Sequence, residues 1–184
     1  MRIIAGTLRG RSLKSPPRRR TRPTAGRVRA AIFSALESMG ADWRRALDLY
    51  AGSGALGIEA LSRGAETVDS AERDERCCAV IRENLRSLGL SGRARVLRLE
   101  ARRALRALSG EYGTIFLDPP YAEGGEALIE DLVRSGLVGE GSTIVLEHPR
   151  GRRPAEAYGD FHLARQLLHG DTFVSIFRRA GGEN

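Results

Sequence analysis

The hydrophobic pattern of the chain changes its period repeatedly after residue 45. Short apolar runs typical of buried β-strands alternate with segments whose apolar residues recur at helical spacing. The predicted strands are 46–50, 66–71, 95–99, 113–117 and 143–147. The predicted helices are 54–63, 74–88, 101–108 and 125–135. Repeated strand–helix units of this kind predict an α/β fold, with a mostly parallel sheet and helices on both faces.

The two ends of the chain depart from this repeat. Near the N-terminus, residues 2–5 and 11–14 are predicted to form a small β-hairpin. Thr24 is then predicted to cap a helix of about 14 residues. Near the C-terminus, residues 161–168 and 172–178 are predicted to form an antiparallel hairpin. These patterns divide the chain into an N-terminal extension, residues 1–40, and a main domain, residues 41–184.

The composition favours a compact cytoplasmic monomer. A length of 184 residues with 41% hydrophobic residues suits one globular unit. There is no apolar run of ~18 residues and no apolar leader at the N-terminus, so we expect no membrane contact. The adjacent Cys77 and Cys78 do not suit a disulfide framework. Since His148, His162 and His169 lack metal-ligand spacing, we expect no metal.

Positive charge is concentrated at one end of the chain. Residues 1–36 carry ten basic side chains and no acidic one, whereas the other 148 residues carry 20 basic and 23 acidic side chains. This asymmetry indicates a polyanionic partner, and nucleic acid is the first candidate. A basic tail that aids solubility, or high arginine usage from base composition, would also explain it, since Lys14 is the only lysine. The candidate RNA-binding residues are Arg9, Arg11, Arg18, Arg19, Arg20, Arg22, Arg27 and Arg29.

A glycine motif lies between the first predicted strand and helix of the main domain. In "DLYAGSGALG", Gly52, Gly54 and Gly57 have the spacing G-x-G-x-x-G, which allows a tight turn and close approach of a ligand to the backbone. Glu72 follows Gly52 by twenty residues, at the end of the next strand, where a carboxylate can accept from ribose hydroxyls. The motif therefore predicts an adenosine cofactor.

Further acids at the same sheet edge bear on which cofactor this is. Open α/β sheets bind ligands beyond the carboxyl ends of their strands, and Asp48, Glu72, Glu100 and Asp118 lie at such ends. Asp48 would repel the pyrophosphate of NAD but attract the ammonium and sulfonium groups of S-adenosylmethionine. Alternatively, Asp48 braces a loop. Glu100 is placed either to accept from an adenine amino group or to be a plain surface acid.

The stretch "TIFLDPPYAE" ends a buried strand in an acid, two prolines and an aromatic residue. Because each proline fixes φ and removes a backbone donor, the turn is stiff and its carbonyl groups are available to accept. Asp118 and the carbonyl of Pro119 together suit a planar –NH₂ group, and Tyr121 offers a surface for base stacking. This arrangement can orient the amine of a nucleobase toward an activated methyl group.

These residues carry a family resemblance. "DLYAGSGALGIEALSRGA" together with "DPPY" resembles the class I S-adenosylmethionine-dependent methyltransferases that act on amino groups. The passages "MRIIAGTLRGRSL" and "RPTAGRVRAAIF" narrow the resemblance to the bacterial methyltransferases of guanine N2 in small-subunit (16S) ribosomal RNA. The resemblance covers nearly the whole chain. It departs at Ala30, where relatives often carry an acid, and at Glu100, where they usually carry Asp or Asn.

The resemblance implies a fold, a chemistry and a set of site residues. The implied fold is the class I methyltransferase Rossmann-like α/β fold, with a seven-stranded, mostly parallel sheet, an antiparallel C-terminal hairpin and a hairpin–helix extension that helps to hold RNA. The implied partner is 16S rRNA or a small ribosomal subunit during assembly. The implied catalytic residues are Asp118, Pro119, Pro120 and Tyr121. The cofactor-binding residues are Asp48, Tyr50, Ala51, Gly52, Ser53, Gly54, Glu72, Arg73, Glu100 and Ala101.

Other functions stay open on the sequence alone. Adenine presents an amine similar to that of guanine, so methylation of adenine N6 in DNA or RNA is a second enzymatic interpretation. A NAD-binding oxidoreductase or a noncatalytic RNA-binding module belongs to a different class. Binding of S-adenosylmethionine rather than NAD separates the methyltransferase hypotheses from the others.

Overall fold

The computed structural model describes residues 1–16, 26–120 and 122–179, and its centre is one eight-stranded sheet. The strand order is β3-β2-β1-β4-β5-β8-β7-β6, with β1 to β5 parallel and the last three antiparallel. The strands are β1 (Arg45–Leu49), β2 (Thr67–Ala71), β3 (Ala94–Leu97), β4 (Thr114–Leu117), β5 (Thr143–Pro149), β6 (Ala157–Tyr158), β7 (Phe161–His169) and β8 (Thr172–Arg179). The predicted α/β fold is confirmed, with the two-residue β6 as an eighth strand that the sequence pattern did not indicate.

Helices cover both faces of the sheet. They are α1 (Gly26–Ser38), α2 (Ala55–Ser62), α3 (Glu75–Ser87), α4 (Ala101–Ala107) and α5 (Glu126–Arg134), with a 3₁₀ turn at Ser91–Arg93. One hydrophobic core lies under α1, α2 and α3, and a second lies under α4 and α5. The strand β4 is buried along its whole length, which explains its unbroken apolar sequence. The layers therefore separate the chain into an α1–α2–α3 face and an α4–α5 face.

The N-terminal segment (residues 1–16) packs on the α1–α2–α3 face. The predicted hairpin is present in part, because its two halves pair antiparallel through the bridge of Arg2 with Ser12 and through backbone hydrogen bonds of 2.8 to 3.0 Å, although they form no regular strands. Gly6 lies so close to α2 that a Cβ there would be 1.9 Å from the carbonyl oxygen of Ser62. The backbone N–H groups of Ile4 and Thr7 donate to Glu59 and to the carbonyl oxygen of Ser62, so α2 holds the segment by its backbone.

A polar cluster joins β2, the edge strand β3 and the segment that precedes β4. The Asp69 carboxylate accepts from the Arg95 guanidinium at 2.6 Å and from the Tyr112 hydroxyl at 2.6 Å, and Arg45 lies over the Tyr112 ring. Burial opposes the charged carboxylate, yet these donors and the charge of Arg95 hold the pKa of Asp69 below its usual value. The cluster ties β2 to β3 and to the segment that precedes β4.

Two sequence expectations concern features outside these elements. Thr24, the predicted helix cap, lies outside the described residues, and the described part of α1 begins at Gly26. Within the described ranges, each helix is too short or too polar to traverse a lipid bilayer.

Candidate active site

The glycine loop (residues 50–54) lies at the carboxyl edge of the sheet, between β1 and α2. Tyr50, Gly52 and Gly54 have φ values of 67°, 56° and 77°, in the left-handed region that favours glycine. A Cβ on Gly54 would also lie 3.0 Å from Cγ2 of Ile81 on α3. Glycine is therefore required here by both backbone conformation and space.

Glu72 braces the glycine loop from the end of β2. One carboxylate oxygen accepts from the backbone N–H of Gly52 at 2.9 Å, and the other accepts from Asp74 at 2.8 Å. Since a carboxylate has about four acceptor positions, two remain for a ligand. The structure thus places Glu72 beside the glycine loop, as its spacing in the sequence predicted.

Asp48 is buried beneath the glycine loop, with only 1% of its surface exposed. One carboxyl oxygen accepts from the backbone N–H of Gly57 at 3.1 Å. Burial, with smaller contributions from the charges of Asp118 and Glu72, raises the pKa of Asp48 to about 7. A cationic group bound here would favour ionisation of the Asp48 carboxyl group, because the two opposite charges attract.

The turn after β4 lies beside the glycine loop, because β4 pairs with β1 so that Leu117 faces Leu49. Asp118 is half-buried and Pro119 is buried. The carbonyl of Pro120 accepts from Glu123 at 2.8 Å, whereas no described residue donates to the carbonyl of Pro119. Tyr121 lies outside the described residues. The structure therefore brings Asp118 and an available backbone acceptor to the edge that carries Asp48 and Glu72.

Two further predicted cofactor residues, Arg73 and Glu100, line an open cavity beyond β3. Its volume is about 470 Å³, and it is lined by Arg73, Arg98, Leu99, Glu100 and Arg103. Arg73 also pairs with Glu123 at 3.1 Å, which links the end of β2 to the segment after the proline turn. Burial, with the nearby charges of Glu123 and Glu100, raises the pKa of Tyr50 to about 12. Ala101 is buried at the start of α4.

The described histidines and cysteines give no sign of metal chemistry. His148 shares a hydrogen bond of 2.8 Å with the Ser175 hydroxyl and stacks on Phe173. Cys78 is buried in α3, and its thiol lies 3.2 Å from the carbonyl oxygen of Glu72. No group of three His, Cys, Asp or Glu side chains among the described residues could hold a metal ion.

The predicted RNA-binding arginines differ in their surroundings. Arg9, Arg11 and Arg27 are exposed, while Arg18, Arg19, Arg20 and Arg22 lie outside the described residues. Arg29 was predicted as an RNA-binding residue, but the structure buries it, so it does not offer its side chain to RNA. Only 2% of Arg29 is exposed, and its guanidinium donates to the carbonyl oxygen of Arg2 at 2.7 Å. Arg29 therefore anchors the N-terminal segment instead of facing solvent.

Three buried polar residues that the sequence analysis did not single out also hold this segment. The carboxylate of Glu59 on α2 accepts from the backbone N–H groups of Ile4 and Ala5, at 2.8 and 3.0 Å. The hydroxyl of Ser62 accepts from Leu8 and donates to Ala5. Asn84 on α3 bonds to Lys14. A sequence signal existed, because Asn84 and Glu59 lie within the apolar stripes of their helices.

Comparison with known proteins identifies the relatives of this arrangement. The family described as conserved hypothetical protein 95 matches residues 1–178. The chain belongs to this family. The Bacillus subtilis protein YlbH, which is named provisionally as an rRNA methyltransferase, is 40% identical over 185 residues, covering 98% of this chain and 100% of that protein. The ribosomal RNA small subunit methyltransferase D of Escherichia coli is 33% identical over 186 residues, covering 100% of this chain and 93% of that protein.

A solved structure agrees with these relatives. The Escherichia coli protein yhhF, described provisionally as a methyltransferase, superposes with a TM-score of 0.84 at 34% identity, over 97% of each chain. The resemblance stated from the sequence is therefore confirmed. The chain is a methyltransferase with a Rossmann-like fold, and its family membership implies S-adenosylmethionine as the methyl donor.

Proposed function

We propose that the protein methylates the exocyclic N2 of a guanine in 16S ribosomal RNA. The observation that carries this proposal is the position of Asp118 and the Pro119 carbonyl, beside the glycine loop at the carboxyl edge of the sheet. The name of the Escherichia coli relative, a small-subunit rRNA methyltransferase, supports RNA as the substrate class. The two-donor chemistry of an exocyclic amine supports guanine N2 as the acceptor.

The residues at the sheet edge fit S-adenosylmethionine. This group supplies a methyl bound to a positively charged sulfur, which is electrophilic without further activation. Gly52, which has a left-handed backbone and is partly exposed, leaves room for close approach of a ligand, and Glu72 keeps acceptor positions free beside it. Asp48 offers a buried carboxyl group whose ionisation a cation would favour. Asp48, Glu72 and the glycine loop would therefore hold the cofactor.

The proline turn would position the acceptor amine. Asp118 and the Pro119 carbonyl accept its two hydrogens, which directs the nitrogen lone pair and favours a more tetrahedral nitrogen. The contribution of the turn is mainly orientation and electrostatic support, because the electrophile needs no strong base. After transfer the nitrogen is cationic and acidic, and Asp118 or water can take its proton.

RNA binding is assigned in this proposal to residues 1–40, and catalysis to residues 41–184. The exposed Arg9, Arg11 and Arg27 support a phosphate-binding role for the extension, since phosphate contacts dominate affinity for nucleic acids. The partner would be 16S rRNA or a small subunit during assembly. A paired target base would have to leave its helix to reach the turn.

The test of this mechanism is Asp118→Ala. We expect kcat to fall by about 100-fold or more, because one preorganised polar contact to the reacting group is lost. S-adenosylhomocysteine, the demethylated form of the cofactor, serves as an unreactive analogue for binding measurements. Its dissociation constant should change by less than about twofold. Asp131→Ala is the matched control, since Asp131 is a surface acid on α5 paired with Arg102 at 3.0 Å. Retained transfer by Asp118→Ala would remove the proposed mechanism.

The nature of the substrate needs a separate measurement. Transfer of a radiolabelled methyl group to unmethylated 16S rRNA, small subunits and duplex DNA separates guanine N2 from adenine N6 chemistry when the product nucleoside is identified by chromatography against standards of each methylated isomer. Methylated guanosine from ribosomal RNA supports the proposal. Methylated adenosine, or transfer to DNA alone, contradicts it.

A further inference from the structure

We propose that Asn84 is a positioning residue that couples the N-terminal segment to the glycine loop, so that RNA and cofactor strengthen each other's binding. This inference rests on the proposed function, because it takes the cofactor to bind at the glycine loop and RNA to bind through the extension. Asn84 touches neither proposed ligand and would act through the two backbone segments it joins.

The side-chain amide of Asn84 makes three hydrogen bonds. Its Oδ1 accepts from the backbone N–H of Lys14 at 2.8 Å, and its Nδ2 donates to the carbonyl oxygen of Lys14 at 3.0 Å. The same Nδ2 donates to the carbonyl oxygen of Ser53 at 3.2 Å. Both amide hydrogens are therefore used, one on each of two segments that lie 39 residues apart in sequence.

Burial makes these bonds hard to replace. Only 1% of Asn84 is exposed, so its side-chain amide depends on these protein partners rather than on water for its hydrogen bonds. A shorter side chain on α3 would leave three backbone groups without their partner. Lys14 is held here through both its backbone N–H and its carbonyl, as in a strand pair.

The contact with Ser53 fixes one peptide plane of the glycine loop. The carbonyl of that peptide accepts from Asn84, and its N–H, on Gly54, donates to the carbonyl of Ala51 at 2.7 Å. Gly54 has φ of 77°, a conformation that this peptide orientation sustains. The orientation of the glycine loop thus depends on a side chain that also holds the N-terminal segment.

The hydrogen bonds described for Glu59 and Ser62 tie the N-terminal segment to α2, and that of Arg29 ties it to α1, rather than to the glycine loop. Glu59 and Ser62 accept from backbone N–H groups of residues 4–8, and Arg29 donates to the backbone of Arg2. A hydrogen-bonded route runs from the segment to the glycine loop through Lys14 and Asn84, and Lys14 is the last basic residue before the arginines of 18–22 in sequence. A ligand that orders either side should therefore order the other, and linkage makes the effect reciprocal.

The first test measures this coupling directly. The dissociation constant of a fluorescent 16S rRNA transcript is measured with and without saturating S-adenosylhomocysteine, for the wild type, Asn84→Ala and Asn84→Asp. The Asp variant keeps the acceptor for Lys14 and loses both donated bonds. We expect the analogue to tighten RNA binding by at least about fivefold in the wild type, and to leave it unchanged in both variants.

Ser62→Ala is the matched control. It removes a buried anchor of the same segment, from a residue that does not touch the glycine loop. A purely structural role for Asn84 predicts that all three variants lose RNA affinity alike. Coupling predicts that Ser62→Ala keeps the wild-type ratio even if its RNA affinity falls. The deciding quantity is the ratio of the RNA dissociation constants without and with S-adenosylhomocysteine. Equal ratios in the wild type and the Asn84 variants, or a ratio near one in Ser62→Ala, would overturn the inference.

A second measurement needs no variant. Hydrogen exchange of the wild-type protein is followed by mass spectrometry with and without S-adenosylhomocysteine. We expect exchange in residues 12–16 to slow by at least about fivefold, while residues 4–8, which are held on α2, change little. No slowing in residues 12–16 would overturn the inference even if the variants fail to fold. Failure of the wild type to bind the analogue, or to methylate RNA, would instead contradict the proposed function.

Discussion

At the residue scale, Asp48 has the most unusual environment of the predicted site residues. Its pKa of about 7 lies above the ordinary value of 3.8, chiefly because burial disfavours the charged form. The neutral carboxyl group therefore stabilises the fold fully below about pH 4, and this contribution is lost as the pH rises to about 7. Ionisation costs stability in the free protein, and a bound cation would offset that cost.

We expect the affinity for S-adenosylhomocysteine to increase with pH through the titration of Asp48. If the ionised carboxylate holds the ammonium group of the ligand, affinity should rise about tenfold between pH 6 and pH 8, since the ionised fraction changes by that factor around a pKa near 7. Calorimetric titration across this range measures it. Asp48→Asn should bind weakly with a flat profile, and its free energy of unfolding should vary less between pH 4 and 7. A flat wild-type profile would show that Asp48 does not face the cation.

Site residues differed in how far the sequence could predict them. Gly52, Gly54 and Glu72 follow from a local motif and a fixed spacing, and the structure brings them together. Asn84 and Glu59 stand out as polar residues within apolar helix stripes, but their backbone partners could not be assigned, because these lie 31 to 70 residues away and carry no sequence signature. The prediction that Arg29 binds RNA failed for a related reason. The sequence does not distinguish an arginine that donates to a buried carbonyl from one that faces solvent.

At the element scale, the packing of α2 on β2 depends on Gly57. A Cβ at this position would lie 2.8 Å from Cγ1 of Val68 and 3.4 Å from a carboxyl oxygen of Asp48. We expect Gly57→Ala to lower the free energy of unfolding by about 1–3 kcal/mol, because overpacking against a stiff valine outweighs the better helix propensity of alanine. Denaturant unfolding monitored by circular dichroism measures this difference.

Gly92→Ala provides the comparison for Gly57→Ala. Gly92 lies in the 3₁₀ turn, its φ is not positive, and apart from its chain neighbours no atom of the described residues lies within 4 Å of the position that a Cβ would take. The same substitution should there leave stability unchanged or raise it by up to about 1 kcal/mol. Equal losses at the two positions would mean that contact with Val68 is not the cause.

The elements themselves were largely predictable. Each predicted strand and helix of the main domain is present within a few residues of its expected ends, because buried parallel strands and amphipathic helices have distinct apolar periods. The N-terminal hairpin was predictable only in part, since its two halves pair with each other but other backbone groups of residues 2–5 and 11–14 bond to α2 and α3. A pattern read locally does not reveal hydrogen bonds to a distant helix.

At the scale of the whole molecule, the two faces of the sheet differ in their proposed roles. The N-terminal segment and its basic residues lie on the α1–α2–α3 face, whereas α4 and α5 cover the other face. On the first face, Arg9 and Arg11 are exposed, and their side chains have no partner among the described residues. If RNA approaches the carboxyl edge from this face, charge there should matter more than equal charge on the other face.

We therefore expect the double variant Arg9→Glu, Arg11→Glu to bind 16S rRNA more weakly and with a reduced dependence on salt. Loss of two phosphate contacts should lower the slope of log affinity against log salt by about 1–2. The matched control is Arg106→Glu, Arg134→Glu, which makes the same change of charge at exposed positions on α4 and α5. Fluorescence anisotropy measures RNA binding of both double variants from about 50 to 200 mM salt, a range over which phosphate contacts lose much of their affinity. The two variants are compared by the slope of log affinity against log salt. Equal losses in both double variants would mean that net charge, rather than the α1–α2–α3 face, governs RNA binding.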